Sequence, residues 1–194
     1  MKVAVIKYNA GNIQSVSYAL DRLGINYLIT DNADEIQSAD KVIFPGVGEA
    51  STTMRHLVNK NLDKVIFNLK QPTLGICLGM QLLCKHSSEN NTACLGIFDA
   101  EVSRFESTIE HRVPHMGWNS IHLVNGWLPD ALQGSFVYFA HSYYVPVNEF
   151  TVATAVHGAS FSAAIRKDNF FGVQFHPEKS TETGQQVLKS FLAL

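Results

Sequence analysis

A cysteine between two glycines is the strongest chemical signal in the chain. Cys77 lies in the segment G-I-C-L-G, residues 75–79, where an apolar run gives way to a helical pattern. A nucleophile on such a tight strand-to-helix turn points out of the sheet, and the flanking glycines leave room for close packing. The start of a helix favours a thiolate, and the backbone N–H of Leu78 lies where an oxyanion would form. The pattern predicts a nucleophilic thiol; the alternative is a small buried cysteine without chemistry.

The base that such a thiol requires is predicted near the end of the chain. Of the eight histidines, His176 lies in the segment Q-F-H-P-E, residues 174–178, directly after an apolar run. Residues two apart in an extended segment point to the same side, so the carboxylate of Glu178 can hold the imidazole in one tautomer. Cys77, His176 and Glu178 therefore form a candidate triad. Without the cysteine, a histidine at a strand end and a solvated glutamate would be the simpler interpretation.

Two further segments are predicted to border the same pocket. The segment P-G-V-G, residues 45–48, follows an apolar run, and its backbone can offer a second N–H to an oxyanion; a plain turn is the alternative. It does not match a nucleotide-binding fingerprint, because the third glycine is missing. His141 begins the segment H-S-Y-Y at the end of another predicted strand, so it can border this pocket too.

An α/β fold must hold these residues. Apolar runs predict strands at residues 2–7, 26–30, 41–44, 72–76 and 170–175, and helical spacing predicts helices at 12–23, 183–194 and after residues 48 and 77. This alternation predicts a three-layer fold with a mostly parallel central sheet and flanking helices. Short strands at 136–140, 151–156 and 162–166 predict a smaller antiparallel portion in the second half. The carboxyl ends of the parallel strands would carry the site.

Composition excludes several other classes of protein. With 194 residues, of which 46% are hydrophobic and 16% charged, residues 1–194 are expected to form one globular domain. A net charge of -2 without a basic run argues against nucleic acid and anionic membranes as partners. No apolar run is long enough for a signal peptide or a span, which predicts a cytoplasmic protein. The three cysteines form no C-x-x-C pair, so reduced thiols and no metal or cofactor are expected.

The motif at residues 75–81 and the one at 174–178 together resemble the signature of class I, triad-type glutamine amidotransferases, and the resemblance covers essentially the whole chain. It implies that Cys77 attacks the side-chain amide of L-glutamine, that His176 is acid and base, and that Glu178 orients the histidine. It also implies an oxyanion hole from the backbone of Val47 and Leu78. The substrate contacts that it implies are Gly46, Gly48, Gln81, His141, Ser142 and Tyr143.

Local details narrow the resemblance within that family. They are the segment Y-N-A-G-N at 8–12, the loop at 45–48, the segment P-H-M-G-W-N at 114–119 and a lysine after the triad glutamate. These segments resemble those of one family member, which supplies ammonia to a separate (β/α)₈ cyclase subunit. The resemblance implies that the protein forms a heterodimer with such a subunit. The surface that would contact this partner is expected to include Asn12, Met116, Trp118 and Lys179. For Met116 and Trp118, a place in the core is the alternative.

Two other functions use the same triad. A cysteine peptidase or γ-glutamyl hydrolase needs the same elbow and histidine, although Gln81 and the lysine after Glu178 favour an amidotransferase. A degenerate amidotransferase that serves only as a binding subunit is the non-enzymatic alternative. All three triad positions are filled, which argues against it.

Overall fold

The protein is described by a computed structural model that covers residues 1–8, 12–124 and 126–194. The strands are β1 (Val3–Ile6), β2 (Tyr27–Thr30), β3 (Lys41–Gly46), β4 (Thr73–Cys77), β5 (Cys84–Ser87), β6 (Thr92–Ala93), β7 (Phe98–Arg104), β8 (His115–Ser120), β9 (His122–Leu123), β10 (Phe136–His141), β11 (Tyr143–Tyr144), β12 (Thr151–His157), β13 (Ala159–Lys167) and β14 (Phe170–Val173). The helices are α1 (Ile13–Arg22), α2 (Ala33–Gln37), α3 (Ala50–Asn59), α4 (Leu62–Phe67), α5 (Leu78–Leu83) and α6 (Thr181–Leu192).

The largest sheet has the order β2-β1-β3-β4-β14-β13-β12-β9. Its first five strands are parallel, and the last three continue it in antiparallel pairing. Alternate residues of β1 enter different cores: Val3 and Val5 pack with α1 and α6 on one face, whereas Ala4 and Ile6 pack with α2 to α5 on the other. Burial on both faces explains why β1 is apolar throughout. The predicted three-layer α/β fold is confirmed.

Two smaller sheets are formed by strands between residues 84 and 144. One pairs β10 with β8, and the other has the order β11-β7-β5-β6. Their pairing is antiparallel except between β5 and β7. Most of these strands are short or carry polar residues, and so they show no clear apolar run in the sequence. The predicted antiparallel portion is confirmed by β10 together with β12 and β13, and the last two belong to the largest sheet.

Two strand ends near the site differ from the sequence prediction. β3 continues to Gly46, since β4 runs on to Cys77 and pairs with it there, so the first half of the predicted loop is strand. β14 ends at Val173, short of the predicted residue 175. The chain then leaves the neighbouring strand β4, because the N–H of His176 donates to the carbonyl oxygen of Tyr138 in β10 at 2.9 Å.

Within the described ranges, none of the helices combines the length and apolar character that a membrane span requires. The same residues contain no group of three His, Cys, Asp or Glu side chains that could hold a metal ion.

Candidate active site

The turn between β4 and α5 holds Cys77 in a strained backbone conformation. Its φ of 53° and ψ of -110° are rare for a residue with a side chain. The turn is tight because Gly79 lies against the end of β3: a Cβ at this position would be 1.9 Å from the carbonyl oxygen of Phe44. Only glycine fits there, so the second glycine of the motif is explained by close backbone packing. The geometry is that of a nucleophile elbow.

His176 and Glu178 form a buried pair beside this turn. His176 Nδ1 lies 2.8 Å from Glu178 Oε1, and both side chains are almost inaccessible to solvent. The sequence prediction placed both residues in an extended segment, which is wrong, because Pro177–Lys179 is a 3-10 turn. Proline favours the first position of such a turn, and the turn brings the two side chains together. With Nδ1 facing Glu178, Nε2 is the nitrogen left for Cys77.

The charge state of His176 follows from these two neighbours. Burial opposes the imidazolium, but hydrogen bonds to Cys77 and Glu178 and their charges outweigh it and raise the pKa of His176 to about 10. The ring is therefore protonated at neutral pH and lies beside the Cys77 sulfur. Such a pair combines a nucleophile with a proton donor.

Asn12 lies behind this pair. Its side-chain Nδ2 donates to Glu178 Oε1 and lies 3.5 Å from His176 Nδ1. The other oxygen of Glu178, Oε2, is buried and has no partner among the described residues. Asn12 thus fixes the carboxylate, a contact that the sequence did not predict, and its expected place in a partner interface stays a prediction. Residues 9–11 of the same predicted segment lie outside the described ranges.

A cavity of ≈ 390 Å³ opens at the elbow. It is lined by Val47, Gly48, Cys77, Leu78, Gln81, Glu89, Pro114, Met116, Ala140, His141, Ser142, Tyr143, His176 and Lys179. The predicted nucleophile and base, the loop after β3 and the segment 141–143 thus meet at one cavity. Glu178 lies behind the histidine. Gly46 does not line the cavity, because a Cβ there would be 2.5 Å from the Tyr8 hydroxyl and 2.9 Å from Leu78 Cβ; its predicted substrate contact finds no support.

Gln81 lines the cavity, but its amide nitrogen is already engaged. Nε2 donates to the carbonyl oxygen of Tyr143 at 2.8 Å and to Gln174 Oε1 at 2.9 Å. An amide NH₂ has two hydrogens, so both are used. Only Oε1 of Gln81 is left for a substrate, and it can accept a hydrogen bond but not donate one.

His141 is a neutral side chain in the cavity wall. Its Nδ1 lies 2.8 Å from the carbonyl oxygen of Tyr143, and its Nε2 lies 3.0 Å from His115 Nδ1. Burial lowers the pKa of His141 to about 3, despite the hydrogen bond to Tyr143. It packs against Phe105 and Phe161 at ring distances of 5.4 and 5.2 Å. His141 therefore carries no proton charge at neutral pH.

Glu89 is a cavity residue that the sequence analysis missed. It lies in a 3-10 turn after β5, and its Oε2 accepts the N–H of Ala50 at the start of α3, at 2.7 Å. Burial raises the pKa of Glu89, although the bond to Ala50 opposes the shift. Glu89 is the acidic side chain among the lining residues. Its surroundings in the sequence are polar and show no motif.

An exposed apolar surface adjoins the cavity. Met116 and Trp118 of β8 are 65% and 50% exposed, so a place in the core is wrong for both. Trp118 meets Tyr138 of β10 edge-on at 6.0 Å, and Lys179 Nζ lies 5.8 Å from the centre of that tyrosine ring. Phe136 is exposed on the same side of β10. We call Met116, Trp118, Phe136 and Tyr138 the β8–β10 face.

Comparisons with known proteins agree with this geometry. A family model described as "Glutamine amidotransferase class-I" matches residues 4–194. The chain is 57% identical over 199 residues to "Imidazole glycerol phosphate synthase subunit HisH" of Bacteroides fragilis (strain YCH46), with 100% of each chain covered. It is 58% identical over 196 residues to the protein of that name in Bacteroides thetaiotaomicron, again with 100% of each covered. A crystal structure described as a glutamine amidotransferase matches with a TM-score of 0.76 at 19% identity, over 98% of this chain and 97% of that one, which supports the fold.

Proposed function

The chain belongs to the class-I glutamine amidotransferase family, and we propose that it is the glutaminase subunit of an imidazole glycerol phosphate synthase, acting in histidine biosynthesis. It hydrolyses L-glutamine to glutamate and passes the ammonia to a cyclase subunit. The observation that carries this proposal is the elbow cysteine facing, across one cavity, a histidine held by a buried carboxylate. Full-length similarity to the two Bacteroides subunits supports the choice within the family.

The first half of the reaction forms a thioester. The Cys77 sulfur adds to the carboxamide carbon of glutamine, and the oxyanion takes hydrogen bonds from the backbone N–H groups of Leu78 and Val47. Removal of one such donor typically costs about 100- to 1,000-fold in kcat. His176 then protonates the departing nitrogen, the C–N bond breaks, and ammonia leaves. Glu178 keeps the ring in the orientation in which Nε2 carries that proton.

The second half releases glutamate. In the thioester the sulfur carries no charge, so the anion that raised the pKa of His176 is gone and the ring can act as a base. His176 takes a proton from water, the hydroxide adds to the thioester carbonyl, and the C–S bond breaks. The sulfur leaves as a thiolate, and the imidazolium is restored beside it. One histidine thus serves both halves, and no metal or cofactor is required.

The walls of the cavity suit an amino acid with a carboxamide. The Glu89 carboxylate is an acceptor for the α-ammonium group, and Oε1 of Gln81 is a second acceptor for an N–H donor of the substrate. Gly48, Ser142 and Tyr143 line the same cavity. Peptide substrates share the acyl chemistry but do not require this ammonium site, whereas γ-glutamyl substrates carry the same α-ammonium group as glutamine.

A protein partner follows from the fate of ammonia. In bulk water ammonia is protonated and diluted, so it stays a nucleophile only if it passes directly to the next site. We assign the cyclase subunit to the β8–β10 face, because its aromatic and Met side chains are exposed and Met116 also lines the cavity. The proposed assembly is a heterodimer, and a cytoplasmic location fits a biosynthetic pair of this kind.

The test is glutamate release from glutamine, with and without a candidate cyclase subunit and its nucleotide-like substrate. We expect release that depends on Cys77 and rises when the partner is present. The Cys77→Ala variant should lose glutamine-dependent synthesis, whereas synthesis from added ammonia should survive. Persistence of glutamine-dependent synthesis in this variant would refute the assignment, and hydrolysis of peptides in preference to glutamine would favour the peptidase alternative.

A further inference from the structure

We propose that Gln174 is a positioning residue that holds the Cys77 sulfur through an N–H···S hydrogen bond; the inference rests on the function proposed above. Gln174 Nε2 lies 3.7 Å from Cys77 Sγ, and the Gln174 side chain is 0% exposed. The residue directly follows β14 and lies two positions before the triad histidine. A buried side-chain amide has few reasons to face a sulfur other than to donate to it.

The orientation of the Gln174 amide follows from a neighbouring carbonyl group. The Tyr143 carbonyl oxygen can only accept hydrogen bonds, so the end of Gln81 that faces it must be the NH₂ group. The second hydrogen of that NH₂ group points to Gln174, which must therefore present its oxygen. This leaves the NH₂ of Gln174 facing the sulfur. The donor is thus fixed by the chemistry of Tyr143 and not by an arbitrary choice of amide orientation.

A second arm holds the same carbonyl group. His141 Nδ1 also donates to the Tyr143 oxygen, so its Nε2 must accept from His115 Nδ1. His115 Nε2 in turn faces Asn119 Nδ2 at 3.4 Å. The Tyr143 carbonyl group therefore has both of its lone pairs engaged, and it cannot turn away to release Gln81. The two arms therefore converge on the Tyr143 oxygen, and from Gln81 the donors run through Gln174 to the sulfur.

Gln174 differs from His176 in keeping its hydrogen throughout the reaction. The histidine gives its proton to the leaving nitrogen and takes another from water before the thioester breaks. The Gln174 amide never loses its hydrogen, so it can stabilise the thiolate before attack and again when the thioester breaks. The thiolate is therefore stabilised at both stages by a donor that takes no part in proton transfer.

The experiment is alkylation of Cys77 by iodoacetamide as a function of pH, on the whole protein and without substrate. In Gln174→Met, a side chain of similar length without a donor, we expect the pH of half-maximal alkylation to rise by about one unit, as for loss of one hydrogen bond to an anion. The glutaminase kcat should fall about tenfold. In Gln174→Glu the rise should be larger, because an acceptor replaces the donor. Burial raises the pKa of Cys94 to about 12 and that of Cys84 further still, so neither thiol obscures the signal.

The matched control is Gln71→Met. Gln71 Nε2 donates to the carbonyl oxygen of Ile36 at 2.8 Å, next to the other end of β4, so its loss removes a comparable bond without touching the sulfur. Its alkylation midpoint should equal that of the unmodified protein. If Gln174→Met does not fold, Gln81→Met serves in its place, because it frees the Gln174 amide to turn and should raise the midpoint in the same direction.

An unchanged midpoint in folded Gln174→Met, or one that moves equally in Gln71→Met, would overturn the inference. The proposed function has a separate readout in glutamate release. If the alkylation midpoint shifts but the protein hydrolyses no glutamine, the role of Gln174 stands and the proposed glutaminase function is rejected. If the protein hydrolyses glutamine but the midpoint does not shift, the function stands and the role of Gln174 is rejected.

Discussion

The backbone of His176 is anchored to Tyr138. The N–H of His176 donates to the Tyr138 carbonyl oxygen at 2.9 Å. Ser180 closes the connection, since its Oγ accepts the N–H of Tyr138 at 3.0 Å and donates to the His176 carbonyl oxygen at 2.6 Å. The side chain of Tyr138 belongs to the β8–β10 face. The backbone of the triad base is therefore bonded, directly and through Ser180, to the backbone of a residue whose side chain lies on the surface assigned to the partner.

Loss of the Ser180 hydrogen bonds should displace His176, the base of the triad. Ser180 is fully buried, and Ser180→Ala removes one donor and one acceptor. We expect a loss of about 1–3 kcal/mol in unfolding free energy and a lower kcat. Urea unfolding and glutamate release measure the two effects. Ser190→Ala is the control, because its hydroxyl only bonds back to Gln186 within α6, and it should leave kcat unaltered.

Asn12 should act through Glu178 and not only through a partner. In Asn12→Ala we expect kcat without any partner to fall about tenfold, the equivalent of one hydrogen bond to a charged group. Asn12→Asp should fall further, since two carboxylates would then face each other. Asn68→Ala, which loses an exposed bond to Lys64, serves as the reference. Full activity of isolated Asn12→Ala with weaker partner binding would restore Asn12 to the interface alone.

Glycine should be required at position 79 for reasons of space. Gly79→Ala puts a methyl group into the Phe44 carbonyl group, and we expect a loss of at least about 3 kcal/mol together with the glutaminase activity. Gly24 has a φ of +67° and an open surrounding, so Gly24→Ala should cost only the strain of about 1–2 kcal/mol. Urea unfolding of both variants gives the comparison. Equal losses would show that Gly79 is not limited by packing.

The two linked histidines should make the protein sensitive to acid. Burial lowers the pKa of His115 to about 4 and that of His141 to about 3, against about 6.5 in an unfolded chain. Below about pH 6.5 the unfolded state thus binds more protons than the folded state. The stability that is present above about pH 6.5 is therefore lost as the pH falls toward 4 and below. Each histidine contributes a slope of at most about 1.4 kcal/mol per pH unit. Urea unfolding of His115→Gln/His141→Gln between pH 4 and 6 should give a flatter profile than the parent; parallel profiles would contradict it.

Trp118 should carry much of the partner's binding energy. An exposed Trp beside Tyr138 has the character of an interface hot spot, and Trp118→Ala should raise Kd by about 30-fold or more, equivalent to about 2 kcal/mol. Titration calorimetry with the cyclase subunit measures the change. Phe67→Ala removes an equally exposed aromatic ring from α4 and should have no effect. An unaltered Kd and unaltered ammonia transfer in Trp118→Ala would remove Trp118 from the interface.

The sequence predicted what short patterns encode. The elbow around Cys77 and the segment around His176 were found because each motif is local, and apolar runs located the parallel strands that bring them together. The partners of these residues left no such signal. Asn12 and Glu178, or Gln174 and Cys77, are far apart in the chain and meet through single polar contacts. A lone polar side chain has no periodicity, so only the folded geometry identifies its role.

The links around the Tyr143 carbonyl group contain no formal charge at neutral pH. Gln81 and Gln174 are amides, and the low pKa values of His115 and His141 keep both rings neutral. Ionic strength screens charges but has little hold on buried dipoles. Salt will therefore weaken attractions at the rim, where Lys179 lies, and leave the interior support of the sulfur as it is. The reactivity of the nucleophile should therefore vary little between low and high salt.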